Sequence, residues 1–153
     1  MRLTSSVFFD GTAIPSKYTC EGADVSPPLA WDDVPANTRS LALIVDDPDA
    51  PDPAAPRQTW VHWVIVDLPP DTGGLGENVH RLAHGHIGVN DWGRTSWGGP
   101  CPPIGRHRYM FKLYALDRTL ELAHPSKPEV ERAMTGHILA EATLIGTYQK
   151  HRR

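Results

Sequence analysis

The chain has 153 residues, 40% of them hydrophobic and 22% charged, with a net charge of −3 and a pI near 6.2. That size and composition suit one globular domain, 1–153, with a hydrophobic core of its own. The acidic balance excludes a nucleic-acid footprint, which needs clustered Lys and Arg, and no stretch reaches the ~18 apolar residues of a membrane span.

Fifteen prolines and 13 glycines punctuate the chain, which favours short strands joined by turns over long helices. The N-terminus "MRLTSSVFFD" lacks the apolar run of a signal peptide, and residues 3–9 predict a first strand. "PPLAWDDVP" (27–35) holds one short extended piece between prolines. "SLALIVDD" (40–47) is a continuous apolar run, the mark of a strand buried on both faces. "WVHWVIVDLP" (60–69) and "HRYMFKLYALD" (107–117) predict two more strands, rich in β-branched and aromatic residues. Stretches 47–59 and 71–97 show no strong period and predict long loops. One helix has start signals: Ser126 as cap, Pro128 in the first turn and Glu129 completing a Ser-x-x-Glu capping box. Val130, Ala133, Met134, His137 and Ile138 then fall on one apolar face. Beyond Gly136, alternation of Ala140, Ala142, Leu144, Gly146 and Tyr148 predicts a last strand. The closing Lys150, His151, Arg152 and Arg153 predict a solvated tail. Two cysteines, Cys20 and Cys101, make no disulfide framework. They can pair, but the expectation is two buried or half-buried thiols in a cytoplasmic protein.

Strand parity places the polar groups. His107 and Tyr109 point to one side of their strand and Arg108 to the other. His62 shares a face with Trp60, Val64 and Val66, where an imidazole needs a partner or a cavity. Asp47 closes the face that carries Leu41, Leu43 and Val45. Three groups of complementary chemistry, each on a central strand beside a stiff loop, predict a site. The loops are "DDPDAPDPAAP" (46–56), which fixes Asp47 and Asp49, and "GGPCPP" (98–103), which admits close approach at Gly98 and Gly99 and then locks.

The segments "DDPDAP", "VHWVIVDLP" and "GGPCPPIGRHRYMFKLYAL", in that order, resemble the phosphatidylethanolamine-binding protein family, in its prokaryotic Raf-kinase-inhibitor-like branch. "KYTCEGADVSPPLAW", "NDWGRTSWGGPCPP" and "LIGTYQK" extend the resemblance over nearly the whole chain. It implies a mostly β protein, a β-sandwich with one short helix near the C-terminus. It also implies a small anion-binding pocket at one end, built from Asp47, His62, His107 and Tyr109, with Pro102 and Pro103 lining the wall and Gly99 close by. Asp49 is carried over as a support for the loop, and the Ala50–Pro51 peptide as cis. No cofactor and no metal are implied. The implied function is binding of phosphate or a phosphomonoester head group, with regulation or inhibition of a kinase or protease through the pocket, and a homodimer.

Two imidazoles facing one cavity suit an oxyanion, since both can donate and, when protonated, add charge. Asp47 beside an anion repels it, and is expected to hold a histidine or accept from a ligand hydroxyl. Three other readings compete. A hydrolase would use His107 or His62 as base, with Cys101 offered as nucleophile. A metal site would use His80, His84 and His86, but that stretch is broken by glycine and lacks a fourth ligand. An interaction module would dock a phosphorylated partner protein.

Overall fold

The computed structural model describes residues 1–151; Arg152 and Arg153, the end of the expected basic tail, lie outside the described residues. Among the described residues, nine strands form two sheets. β1 (Arg2–Thr4), β3 (Leu29–Asp32) and β6 (Gly74–Leu75) make the smaller sheet, in the order β1-β3-β6. The larger sheet contains β2 (Thr12–Ala13), β4 (Ser40–Ala50), β5 (Gln58–Leu68), β7 (His86–Ile87), β8 (His107–Leu116) and β9 (Ile138–Tyr148). Its order is β2-β9-β8-β4-β5-β7, antiparallel except for the short β2–β9 pair. A 3-10 turn (Ser16–Tyr18) and one helix, α1 (Lys127–Met134), complete the elements. None of the described helices is long and apolar enough to cross a membrane.

The apolar run of β4 has two buried faces because β4 lies inside the sheet, between β5 and β8, and both faces of the sheet are covered. Leu41, Leu43 and Val45 join Trp63, Phe111 and Leu113, with Leu3 and Trp31 of the smaller sheet, in the core between the sheets. Ala42 and Ile44 point the other way. They pack with Val64, Val66 and Leu120 beneath Val130 and Met134 of α1. Lys127 at the start of α1 also reaches the buried Asp46 Oδ2 at 2.7 Å, which ties the helix to β4.

The capping box holds: Ser126 Oγ accepts from the Glu129 amide, and the Glu129 carboxylate accepts from the Ser126 amide. The apolar face stops short of expectation, however. The helix ends at Met134, and Gly136 takes a left-handed conformation (φ +81°) that turns the chain into β9. His137 therefore leaves the helix to meet Asp117 at 2.8 Å, and Ile138 starts the strand, 41% exposed.

The predicted strand over 3–9 is also cut short. Ser5 donates to the Pro28 carbonyl and its oxygen accepts from the Val7 amide, so a side chain takes the place of the ladder partner. Phe8 then enters the core while Phe9 is 80% exposed. In the other direction, much of the predicted loop over 47–59 is strand. β4 runs on to Ala50 and β5 begins at Gln58, leaving a turn that contains the cis Ala50–Pro51 bond. The loop over 71–97 carries β6 and β7 and is otherwise irregular.

The cysteines depart from the expectation of two free thiols. Cys20 and Cys101 form a disulfide, with Cα atoms 5.4 Å apart, and both residues are exposed. Nothing local in the sequence brings them together. The approach is tertiary: the Cys20 amide donates to the Pro100 carbonyl, and Gly99 sits so close to the Tyr18 carbonyl that a side chain would collide with it.

The bridge joins residues 81 apart in sequence, so it removes much loop-closure entropy from the unfolded chain. Reduction, or the paired change Cys20→Ser and Cys101→Ser, is expected to lower the free energy of unfolding by about 2–4 kcal/mol. Urea denaturation with and without reductant measures it; coincident curves contradict the expectation.

Candidate functional site

The face of the larger sheet that looks toward the smaller one ends in a polar corner. Asp47 continues the row Leu41, Leu43, Val45, and His107 and Tyr109 begin the row Phe111, Leu113 on the neighbouring strand. Simple alternation would leave His62 on the opposite face with Val64 and Val66, as the strand parity predicts. The structure corrects this. Val45 pairs with Trp63 but Asp46 pairs with Val61, so His62 is an extra residue in β5. Such a bulge places two successive residues against one and resets the alternation. Val61 consequently packs with Ile44 and Val64 on the helix side, while His62 and Trp60 turn to the corner.

The corner is a pocket of about 320 Å³. Asp47, His62, His107 and Tyr109 line it, with Pro102, Pro103 and Cys101 on one wall and Trp60, Trp92 and Ala50 completing it. Of the residues singled out from sequence, Gly99 is absent from the lining. Its amide donates to Asp24 Oδ1 at 2.9 Å, and the Gly98 amide to the His62 carbonyl at 3.2 Å. Neither glycine N–H is therefore left for a ligand. Gly99 instead allows close backbone approach: a side chain there would meet Asp24 and the Tyr18 carbonyl. Burial pushes the Asp24 carboxyl above its usual range, against the hydrogen bond from Gly99.

Each imidazole is fixed differently. His62 Nδ1 lies 2.6 Å from the Gly98 carbonyl. A carbonyl only accepts, so Nδ1 carries the proton, and Nε2 remains without a hydrogen-bond partner among the described residues. The ring is 3% exposed, and burial pushes its pKa below the ordinary value. It is thus a neutral ring presenting a lone pair. Its faces and edges are held by Trp92 and Tyr109, with ring centroids 5.1 and 5.2 Å away, both edge-on. His107 has no nitrogen to spare. Nδ1 is 2.6 Å from Asp47 Oδ2 and Nε2 is 2.8 Å from the Ile104 carbonyl. Both ring nitrogens are therefore engaged by acceptors within the protein. The expectation that two imidazoles donate to one anion therefore meets a division of labour, with His107 holding Asp47 and His62 left to act.

The acidic pair of the Asp-Pro-Asp motif divides in the same manner. Asp47 Oδ1 accepts from the Asp49 amide at 2.7 Å, which closes the turn. Asp49 does not enter the pocket. Its carboxylate receives the Arg108 amide at 2.9 Å and both the Nε and Nη2 of Arg108, at 3.0 and 2.9 Å. It thus clamps the end of β4 to the start of β8. Tyr109 OH has no hydrogen-bond partner among the described residues, and burial pushes its pKa up, so the phenol stays a donor.

Trp60, Trp92 and Ala50 are pocket residues that the sequence reading leaves out, and Cys101, weighed there as a nucleophile, is a wall residue. Trp60 has a sequence signal, since it lies two residues from His62. Trp92 has none, because it sits in an irregular loop. Buried Asn90 orders that loop: its amide group donates to the His62 and Ser96 carbonyls, and its oxygen accepts from the Trp92 and Arg94 amides. His80, His84 and His86 lie apart from the pocket, and no group of three metal-ligating side chains occurs among the described residues.

Comparison with known proteins gives the family and the fold. A sequence model of the phosphatidylethanolamine-binding protein family matches residues 4–149. A UPF0098 protein of Methanothermobacter thermautotrophicus is 52% identical over 98% of this chain and 99% of its own length. A UPF0098 protein of Chlamydia muridarum is 44% identical, with the same coverage. Among solved structures, the phosphatidylethanolamine-binding protein homologue CT736 of Chlamydia trachomatis superposes with a TM-score of 0.90 at 42% identity, covering 97% of each chain. Escherichia coli YbcL, described as a member of the mammalian PEBP family, superposes at 0.85 with 30% identity, covering 97% of this chain and 98% of its own.

The Asp49–Arg108 clamp makes a pH prediction. Arg108 holds the Asp49 carboxyl below its ordinary value of 3.8, chiefly through its side-chain hydrogen bonds. A carboxyl with a lowered folded-state pKa stabilises fully above its unfolded value and loses that contribution as pH falls. The wild type is expected to lose stability between about pH 5 and 3 more steeply than Asp49→Asn. Parallel loss of stability in the two proteins across urea unfolding at each pH contradicts this.

Proposed function

The chain belongs to the phosphatidylethanolamine-binding protein family, and from that premise we propose that it binds a small oxyanion, phosphate or a phosphomonoester head group, in the pocket beside His62. The observation that carries the reading is that His62 Nε2 and the Tyr109 hydroxyl, on rings 5.2 Å apart, have no hydrogen-bond partner among the described residues, in a pocket whose other imidazole is fully engaged. Protonation turns Nε2 into a charged donor, and the phenol adds a second. Asp47 is the obstacle to an anion, and both of its carboxylate oxygens are already engaged, Oδ2 by His107 Nδ1 and Oδ1 by the Asp49 amide. Trp60, Trp92, Pro102 and Pro103 give apolar walls for the group that the anion carries. A pocket of about 320 Å³ suits a head group of that size.

The same geometry favours binding over turnover. Cys101 is in a disulfide and is no nucleophile. His107 has no lone pair free for a proton, and His62 is oriented by a carbonyl with no carboxylate behind it. We therefore assign neither catalysis nor a cofactor. A phosphorylated side chain of a partner protein offers the same oxygens. The exposed Trp92 and Ile104, both adjoining the pocket, favour that second reading, through which regulation of a kinase or protease would run. The cytoplasmic location expected from sequence remains part of the proposal, with the Cys20–Cys101 bond as the feature that a reducing compartment would attack.

Sulfate, which keeps its charge over the working pH range, is the cleanest probe. An anion on Nε2 favours the imidazolium and so raises the His62 pKa in the complex above its lowered value in the free protein. Affinity is expected to rise as pH falls from about 8, by at most roughly tenfold per unit, and to level off only below the ordinary histidine value. His62→Ala is expected to cost roughly 1.5–3 kcal/mol of binding and to flatten the profile. Titration calorimetry reads both; binding to the wild type that ignores pH, or none at all, overturns the proposal.

A further inference from the structure

One wall of the pocket depends on a bond that can be broken without cutting the chain. Residues 101–103 supply Cys101, Pro102 and Pro103 to the lining, yet none of the three makes a hydrogen bond among the described residues. The polar ties of this wall lie on either side. Before it, the Trp97 indole donates to the Tyr18 carbonyl, the Gly99 amide to Asp24 and the Cys20 amide to the Pro100 carbonyl. After it, the Ile104 carbonyl accepts from His107. Two prolines without N–H groups cannot replace these bonds. The disulfide from Cys101 to Cys20 is thus the one strong attachment in the middle of the wall. Its far end is firmly seated, because the neighbouring Tyr18 and Glu21 side chains bond to Glu77 and Tyr148. Both cysteines are exposed, so the bond is within reach of a thiol.

We infer that the Cys20–Cys101 disulfide is a redox-modification site that sets the affinity of the pocket by fixing or releasing its 101–103 wall. This inference rests on the reading of the pocket as an oxyanion site. The co-reactant is a dithiol. Its thiolate attacks one exposed sulfur, forming a mixed disulfide and expelling the other cysteine as thiolate; its second thiol then displaces the attached cysteine. Two protein thiols form, the dithiol departs as a cyclic disulfide, and two electrons and two protons pass to the protein. A more oxidising disulfide reverses the exchange, taking up the two electrons and two protons and leaving as two thiols. In the reduced form Pro102 and Pro103 lose their covalent brace, and the adjoining Gly98 carbonyl, which fixes the His62 proton on Nδ1, is held by hydrogen bonds and packing alone. A wall that must be ordered on binding weakens affinity.

The test uses the full chain, oxidised and reduced with dithiothreitol, and the variant carrying Cys20→Ser with Cys101→Ser, with sulfate as probe. Calorimetry is expected to show affinity roughly three- to tenfold weaker in the reduced protein and in the variant. Amide hydrogen exchange without any ligand is expected to quicken more at Cys20 and Gly99 in the reduced protein than in β4 and β8, where it rises only with the loss of global stability. Equal sulfate affinity in oxidised and reduced protein overturns the inference while leaving the oxyanion reading intact. If the oxidised protein binds no sulfate, the oxyanion reading fails and with it the control of affinity; exchange at Cys20 and Gly99 then decides whether the bond braces the wall at all. Should the serine variant fail to fold, the oxidised and reduced wild type still decide the outcome.

Discussion

The pocket depends on one surplus residue in a strand. Asp47, His107 and Tyr109 reach the inter-sheet face by plain alternation along β4 and β8, but His62 reaches it only because β5 bulges there. Without the bulge, its imidazole would lie among the valines beneath α1, a buried polar ring with no cavity to serve. The bulge costs a ladder partner, and the 90–98 segment makes good the loss. The His62 carbonyl accepts from the Gly98 amide and the Asn90 side chain, and the neighbouring Val61 amide donates to Asp91. A local defect in the sheet is thereby converted into an ordered attachment point for the loop that carries Trp92 and the wall.

Charge is arranged around this corner in two steps. The inner pair, Asp47 with His107, is almost wholly buried and hydrogen-bonded at every carboxylate oxygen, the condition under which buried charges are tolerated. The outer pair, Asp49 with Arg108, is bidentate and also takes the backbone amide, so it fixes the strand ends that present the inner pair. Two carboxylates on either side of Pro48 thus do different work, one bound to His107 and the other to Arg108. What remains without a hydrogen-bond partner at the pocket, among the described residues, is a neutral ring and a phenol between apolar walls.

The rigidity of the walls has a covalent as well as a conformational source. Prolines fix the φ angles of the wall, and glycines 98 and 99 let it pass close to Trp92 and to the Tyr18 carbonyl. Proline removes hydrogen-bond donors as it stiffens the chain, and the cysteine set between two prolines restores an anchor by other means.

Much was legible in the residues alone. The long strands and the capping box follow from local preference and strict alternation, which short-range sterics impose and which a sequence displays directly, and the meeting of Asp47, His107 and Tyr109 is what the family resemblance implies. Ser5 ending a strand early, Gly136 ending the helix, the bulge at His62, the pairing of Cys20 with Cys101 and the recruitment of Trp92 were decided by the tertiary structure. Each depends on which group a distant part of the chain offers as a partner: a Pro28 carbonyl, a Gly98 carbonyl, a second sulfur. The sequence lists such partners, but only folding brings them within bonding distance.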